Sequence, residues 1–461
     1  MNKMLRKATL MACAVLLAAG FQACSSSDDD NNNNNQQGGQ QGSQTLEQQI
    51  GSASTAAYNA ADDADIAAGT WTATDYGNKA MGNAAIASCT NLLNQIDNAT
   101  KVVLKSALTP AQSTELETTI AATVCHVIIP TYTKLADAAV TLQQALGDID
   151  AKDIKQTNID AACAAFKEAR AWWEKSEAFL GGAAQDFDID PTIDSWPLNR
   201  DLLHSYFVSG EYSDEAIEDA SILGFHALEF VLFRDGKNRT VADFQKNDTY
   251  KGFTDVPAAE ELKYAQAVAK QLVNRCYQLQ TSWELTPNAE RLAAVKAANL
   301  KYQTKNGHSY GWNMLNAGKS GSTFSSITDA LQQLLNNSEG SCLAIADEVG
   351  SGKIANPFSS GYIFYVESPY SYNSIVDFRN NIRSIENVWY GNPQGAKGSA
   401  DHSLHNFYTQ VAPVTAKAVE DAISTAITDI AKMPYPFVKY VSTIWGKSFE
   451  DDKVIDLESE E

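Results

Sequence analysis

Between residues 46 and 431 the sequence is written almost throughout in helix-forming amino acids, with few residues that would stop a helix. Gly (27) and Pro (12) are sparse for 461 residues and alanine-rich runs recur from Ala56 to Ala426, which excludes a β-sandwich, where a turn is needed every 8–12 residues or roughly so. The pattern predicts helices over 46–68, 82–98, 111–146, 157–180, 214–233, 258–281, 287–302, 323–349, 374–390 and 401–431, the last with a break near Pro413. Thr109-Pro110 sets a proline in a first helical turn, and Ser213 precedes Asp214 and Glu215, acids that suit the positive end of a helix dipole. The expected fold class is all-α. The polar stretch 235–257, with Gly236, Asn238, Asp248, Gly252 and Pro257, reads as the boundary between an N-terminal helical domain, 45–250, and a C-terminal one, 251–461.

The first residues read as an address. Lys3, Arg6 and Lys7 precede an apolar stretch from Ala8 to Phe21, too short to span a bilayer, that ends at Gln22-Ala23-Cys24. We read 1–23 as a lipoprotein export signal, cleaved before Cys24, with Cys24 lipidated. Losing three positive charges takes the formal net charge from -21 to -24. Residues 24–44, rich in Ser and Asp and then in Asn, Gln and Gly, have little to bury and are expected to form a disordered tether. The Ser-Asp run resembles the surface-export signal of lipoproteins from the Bacteroides group, which implies an outer-membrane lipoprotein exposed at the cell surface, with the periplasmic face as the alternative. A pI near 4.7 repels phosphate backbones, so nucleic acid is excluded as a partner, while cations and neutral ligands suit the chain.

One segment departs from the amphipathic pattern. From Leu223 to Phe233 nearly every position is apolar, which a helix tolerates only when it is buried all round. His226 and Glu229 are the exceptions, and a spacing of three sets both on one face, one turn apart. A polar group in such surroundings costs roughly 2–7 kcal/mol unless it is paired, hydrogen-bonded or bound to a cation, and a bare charge costs more. The pair therefore demands a partner. Gly224 leaves room for another backbone or a ligand to approach just before His226.

Gly224-x-His226-x-x-Glu229 resembles the GxHxxE signature of the imelysin family, iron-regulated periplasmic or outer-membrane proteins classed as peptidases and related to bacterial iron-uptake lipoproteins. The resemblance continues through Pro130-Thr131-Tyr132, the Trp172 to Phe179 run, Ile193-Asp194-Ser195-Trp196-Pro197 and Phe230 to Phe233, and in the second half from Glu367 to Asn381. It covers about 46–430. It implies two helical bundles packed against each other with the site between them, at the GxHxxE helix. Gly224, His226 and Glu229 match the signature, and Glu367, Ser374 and Asp377 match the second segment. The residues alone also require polar company for His226 and Glu229, and Glu367, Asp377 and Asn381 can supply it, the last two lying four apart on one helix face.

Imidazole with carboxylates is a ligand set for iron or zinc, and a buried cation neutralises acids that burial otherwise penalises. The expected ligands are His226, Glu229, Glu367 and Asp377, supported by Gly224, Ser374 and Asn381. Proteolysis does not follow from these residues. A zinc-protease helix of the H-E-x-x-H kind carries two imidazoles, and the di-iron bundle motif runs Glu-x-x-His with a second copy. The preferred reading is a lipoprotein binding a metal ion or metal-bearing ligand in iron acquisition, working with iron-transport components. The alternatives are a metallopeptidase, to which the family's classification points, and a structural His/Glu pair balanced by Arg200, Arg379 or Arg383.

The other candidates have blander readings. His126 reads as a hydrogen-bonded core residue, His402 and His405 as solvated residues on one helix side, and the segment holding His308 and Trp312 as a loop that lines a cleft. Trp172, Trp173 and the aromatics of 362–372 read as core or interface packing. Cys89, Cys125, Cys163, Cys276 and Cys342 lie in apolar helical surroundings and read as small buried hydrophobes.

Overall fold

A computed structural model of the chain describes residues 44–53, 57–212, 217–250, 256–393 and 401–449. The expected export signal, Cys24, the tether to residue 43 and the Ser213 cap lie outside these residues. Eight helices form the frame: α1 (Ala80–Lys105), α2 (Pro110–Thr123), α3 (Ile129–Gly147), α4 (Gln156–Glu174), α5 (Gly224–Leu232), α6 (Ala258–Trp283), α7 (Ser374–Tyr390) and α8 (Pro413–Ala431). The single sheet among the described residues is a hairpin, β1 (Phe233–Arg234) antiparallel to β2 (Lys237–Asn238). None of the described helices is long and apolar enough to cross a membrane.

Local chemistry explains most boundaries. At the start of α2 the Thr109 hydroxyl accepts from the Gln112 N–H while the Gln112 side chain accepts from the Thr109 N–H, with Pro110 in the first turn. The periodicity of 111–146 reads as one helix, yet α2 and α3 are joined by a buried π-helical turn, Val124–Ile128, which keeps the chain continuous while shifting its register. Two other expected helices are broken. Gly51 (φ +75) ends Leu46–Ile50 well before Ala60–Ala68, and Gly340 (φ +60) stands between Ile327–Leu335 and Cys342–Asp347. A helix at Phe437–Trp445 was not expected.

α3 packs on α4 and α6, and α5 on the same two helices, making one bundle. α1 packs on α8 and α8 on α7, making a second, and Cys342–Asp347 with the π-helix Glu348–Ala355 lies along α1. α7 also packs on α4, so the bundles meet there, and one hydrophobic core runs through both from Ile66 to Val441. This grouping departs from the expected division at residue 250: α6 joins α3 to α5, and α1 joins α7 and α8. Between residues 234 and 248 polar side chains and backbone groups tie the segment to the rest of the fold. The Gly236 N–H donates to the Tyr370 carbonyl at 2.9 Å, Arg234 Nη2 reaches Asp248 at 2.6 Å, and Arg239 Nη2 reaches Glu261 at 2.8 Å.

Cys89, Cys163, Cys276 and Cys342 are buried free thiols, in line with their apolar contexts. Cys125 is buried as well. Replacing the cap by Thr109→Ala removes the hydroxyl half of the capping box and is expected to lower the free energy of unfolding by about 1 kcal/mol, read by urea denaturation.

Candidate metal centre

The site starts from Gly224. Its φ of +71 opens α5, and a Cβ there would stand 1.9 Å from the Ile193 carbonyl oxygen. The close approach foreseen from the sequence is thus one backbone against another, and it delivers Asp194, the last residue of the short helix Asp190–Asp194, to His226. Asp194 Oδ1 lies 3.0 Å from His226 Nε2, and the Trp173 indole N–H donates to Asp194 Oδ2 at 2.7 Å. Trp196 packs on the imidazole with ring centroids 4.6 Å apart.

Glu229 holds the rear of the ring. Its Oε2 is 3.4 Å from His226 Nδ1, while its Oε1 accepts from the N–H of Tyr370 (3.0 Å), the N–H of Ser371 (2.7 Å) and the Ser371 hydroxyl (2.7 Å). A carboxylate so anchored orients the imidazole and leaves Nε2 facing the acids. That nitrogen is buried and has no hydrogen-bond partner: Asp194 Oδ1 is near it but off the line of a hydrogen bond.

The remaining groups come from α4, α7 and the segment before α7. Glu367 Oε1 stands 3.9 Å from His226 Nε2, and the Ser374 hydroxyl donates to the Glu367 carbonyl at 2.5 Å. Arg170 on α4 places Nη2 2.6 Å from Glu367 and 2.5 Å from Glu174, sets Nε 3.4 Å from Asp377, and pairs with Asp194 through Nη1. Asp377 also accepts from the Ser368 hydroxyl and the Asn373 amide, each at 2.5 Å. Asn381 donates to the Glu174 carboxylate and, at 3.4 Å, to its carbonyl. Lys353 Nζ lies 3.1 Å from Glu367 Oε1 and 3.9 Å from Glu174 Oε2.

The structure therefore unites the expected residues unevenly. Donor atoms of Asp194, His226 and Glu367 lie within 4.8 Å of one another, as do those of Glu174, Glu367 and Asp377 and those of Glu174, Glu177 and Asp194. Glu229 sits behind the imidazole, outside these groups, and Asp377 shares its group with Glu174 and Glu367 and not with His226. Ser374 and Asn381 act as supports. Arg170 and Lys353 supply charge balance at the site, while Arg379, one of the arginines expected for it, pairs with Asp63 at 2.5 Å. Sequence reasoning missed Asp194, Arg170, Glu174, Glu177 and Lys353 as site residues. A signal existed for two of them, since Arg170 and Glu174 are four apart amid Ala169, Ala171, Trp172 and Trp173.

Burial and charge pull the acids apart. Burial pushes Glu174 and Glu177 well above the carboxylate range and Asp377 up to about 6, against the opposing pull of nearby cations. Burial acts the same way on Asp194, but Arg170 and His226 outweigh it and hold that carboxyl well below its ordinary value. Burial favours a neutral His226, yet Asp194 and Glu229 overcome it and raise the imidazole to about 9.

Elsewhere the outcome is mixed: Trp312 lies in a helix, Tyr310–Leu315, where a loop was expected, and His402 precedes the helix Leu404–Val411 that carries His405, both histidines being partly buried. Buried His126 meets the Gly51 carbonyl at 3.1 Å, and His402 and His405 face different acids, Glu115 at 2.9 Å and Glu420 at 3.8 Å. His308 stacks on Trp312 at 3.6 Å. Trp173 does more than pack, since its N–H positions Asp194.

Two outcomes are expected. Gly224→Ala should lower stability by about 3 kcal/mol or more, because the new Cβ meets a backbone oxygen at a positive φ. In chelator-treated protein the His226 charge contributes stability that is complete below pH 6.5 and lost as pH rises through about 9. A thermal-denaturation series across that window should fall for the native chain and stay flatter for His226→Gln.

Comparison with known proteins identifies the family and supports the helical fold. The model of the imelysin family matches residues 128–453, starting later than the resemblance read from residue 46. Iron-regulated protein A of Synechococcus elongatus is 26% identical over 344 residues, which is 75% of this chain and 83% of that protein. The crystal structure of a putative iron-regulated protein A precursor from Parabacteroides distasonis superposes with a TM-score of 0.60 at 26% identity, covering 74% of this chain and 92% of that one.

Proposed function

Because the chain belongs to the imelysin family, we propose that it is an iron-acquisition lipoprotein that binds a metal ion, or a metal-bearing ligand, through His226, Asp194 and Glu367. The observation that carries this reading is the buried His226 Nε2, without a hydrogen-bond partner, facing carboxylate oxygens 3.0 and 3.9 Å away. One imidazole nitrogen with carboxylate oxygens suits iron or zinc, and three protein ligands leave a coordination position open. Glu229 behind the ring supplies the orienting contact that metal-bound histidines usually have. The surrounding acids support it as well. Glu174, Glu177, Asp194, Glu229, Glu367 and Asp377 crowd against Arg170, Lys353 and His226, so a further cation relieves charge that must otherwise be protonated. The relatives named iron-regulated protein A favour iron over zinc as the physiological ion. Lipidated Cys24 would anchor the protein at the outer membrane, within reach of iron-transport components.

Metal analysis and Fe²⁺ and Zn²⁺ titration of the full-length chain should give one ion per chain. His226→Ala should lose it, and Glu229→Gln should weaken it by about 10–100-fold. Peptide substrates are expected to remain intact. Chelator-sensitive hydrolysis that disappears in His226→Ala would replace this reading with a metallopeptidase, and absence of both metal and hydrolysis would leave His226 and Glu229 as a structural pair.

A further inference from the structure

His226 comes nearest to the surface along one short run of chain. Of the side chains set against its imidazole, Glu229 and Glu367 are buried, whereas Asp194 and Trp196 belong to the partly exposed stretch 194–197. The Asp194 side chain is itself only 5% exposed, so its exposure is that of the main chain. The Trp196 ring, its centroid 4.6 Å from that of the imidazole, therefore stands between His226 and solvent.

The indole N–H of this ring points to a ligand. Trp196 is partly exposed, yet its Nε1 is buried and has no hydrogen-bond partner, so the edge that carries the N–H is turned into the protein. Asp194 leaves it no oxygen: Oδ2 accepts from Trp173, and Oδ1 is paired with Arg170 and lies beside His226. A buried donor without a partner calls for an explanation, such as an ion, a water or a function. Trp172, Trp283 and Trp389 also have an unpartnered N–H, but these rings are 1–2% exposed and enclosed by the apolar core. Trp196 differs from them in lying at the edge of the core and touching the imidazole, whose Nε2 is likewise buried without a partner. An unused donor and an unused ligand nitrogen thus occupy adjoining rings.

We propose that Trp196 selects the ligand that completes the coordination of the bound metal: its N–H donates to an oxygen ligand, of the carboxylate or hydroxyl class, at the position that His226, Asp194 and Glu367 leave open. The inference rests on the metal-binding reading and adds to it the class of ligand taken with the ion. An oxygen keeps a lone pair after binding a cation, and a carboxylate keeps a whole second oxygen, so either can accept from the indole at the same time. A nitrogen heterocycle such as imidazole spends its free lone pair on the metal and has nothing to offer the donor. A ligand of that kind leaves the N–H buried and unpaired, which is how a polar site rejects a near match.

Co²⁺, whose visible absorption follows its ligands, serves as the probe ion. Acetate and imidazole are titrated into the Co²⁺-loaded full-length chain in detergent, native and Trp196→Phe, the variant keeping a ring against His226 without the N–H. Trp196→Phe should weaken acetate binding by about tenfold or more and leave imidazole binding unchanged, whereas a ring that served packing alone would move both alike. Equal losses, or no loss, overturn the proposal and leave the metal-binding reading standing. Trp172→Phe, which removes an unpartnered N–H from the core, should change neither affinity, and a matching loss of acetate there overturns the proposal as well. A chain that takes up no Co²⁺ fails at the loading step, which overturns the metal-binding reading and this one together. The place of the ring is read without metal: in chelator-treated protein Trp196→Ala should speed modification of His226 by diethylpyrocarbonate severalfold, followed by mass spectrometry, and an unchanged rate overturns the proposal whatever metal the chain binds.

Discussion

A single buried guanidinium organises the junction of the two bundles. Arg170 projects from α4 and meets carboxylates from its own helix, from Asp190–Asp194, from the segment before α7 and from α7 itself. Its planar fork offers five N–H donors in fixed directions, against the three of a lysine, and so reaches four acids at once. Each acid alone would be expelled from an apolar interior or protonated there. Held together by one cation, they fix the spacing of elements that otherwise share only apolar packing.

A second constraint acts through the backbone. The segment that supplies three hydrogen bonds to Glu229 has positive φ at Ser368 (50) and Tyr372 (60), conformations that non-glycine residues adopt only when their surroundings compel them. The hairpin compels them: Gly236, free to adopt φ +75, donates to Tyr370 and leaves space that a Cβ would lose to the Tyr372 ring. The imidazole is thus oriented by a carboxylate, the carboxylate by a loop, and the loop by a hairpin. The site is preorganised before any ligand arrives, which lowers the ordering cost of binding.

Charge and geometry lead to the same view of the cluster. Its inner part is asymmetric, with Asp194 held ionised and His226 readily charged, while the outer acids are driven toward protonation by burial. A group of carboxylates can be buried in this state only by taking up protons or cations, and Lys353 shows that the chain already uses a cation.

Much of this was legible in the residues. Helix spacing marked α1 to α8 closely enough to assign the class, and an apolar run broken only by His226 and Glu229 marked a buried functional helix, because periodicity and an i, i+3 spacing are properties of a short stretch of chain. Gly224 was legible for the same reason. The division into domains was not, since polarity at 235–257 looks the same whether the segment separates two bodies or clasps one. Nor were the pairings among the charges around His226: Arg170 is 24 residues from Asp194 and 197 from Glu367. Contacts at such separations leave no periodic trace, so the sequence by itself determined the helices and the buried pair. Only the tertiary packing decided which charges surround that pair, and that Glu229 orients the ring while Asp194 faces its open nitrogen.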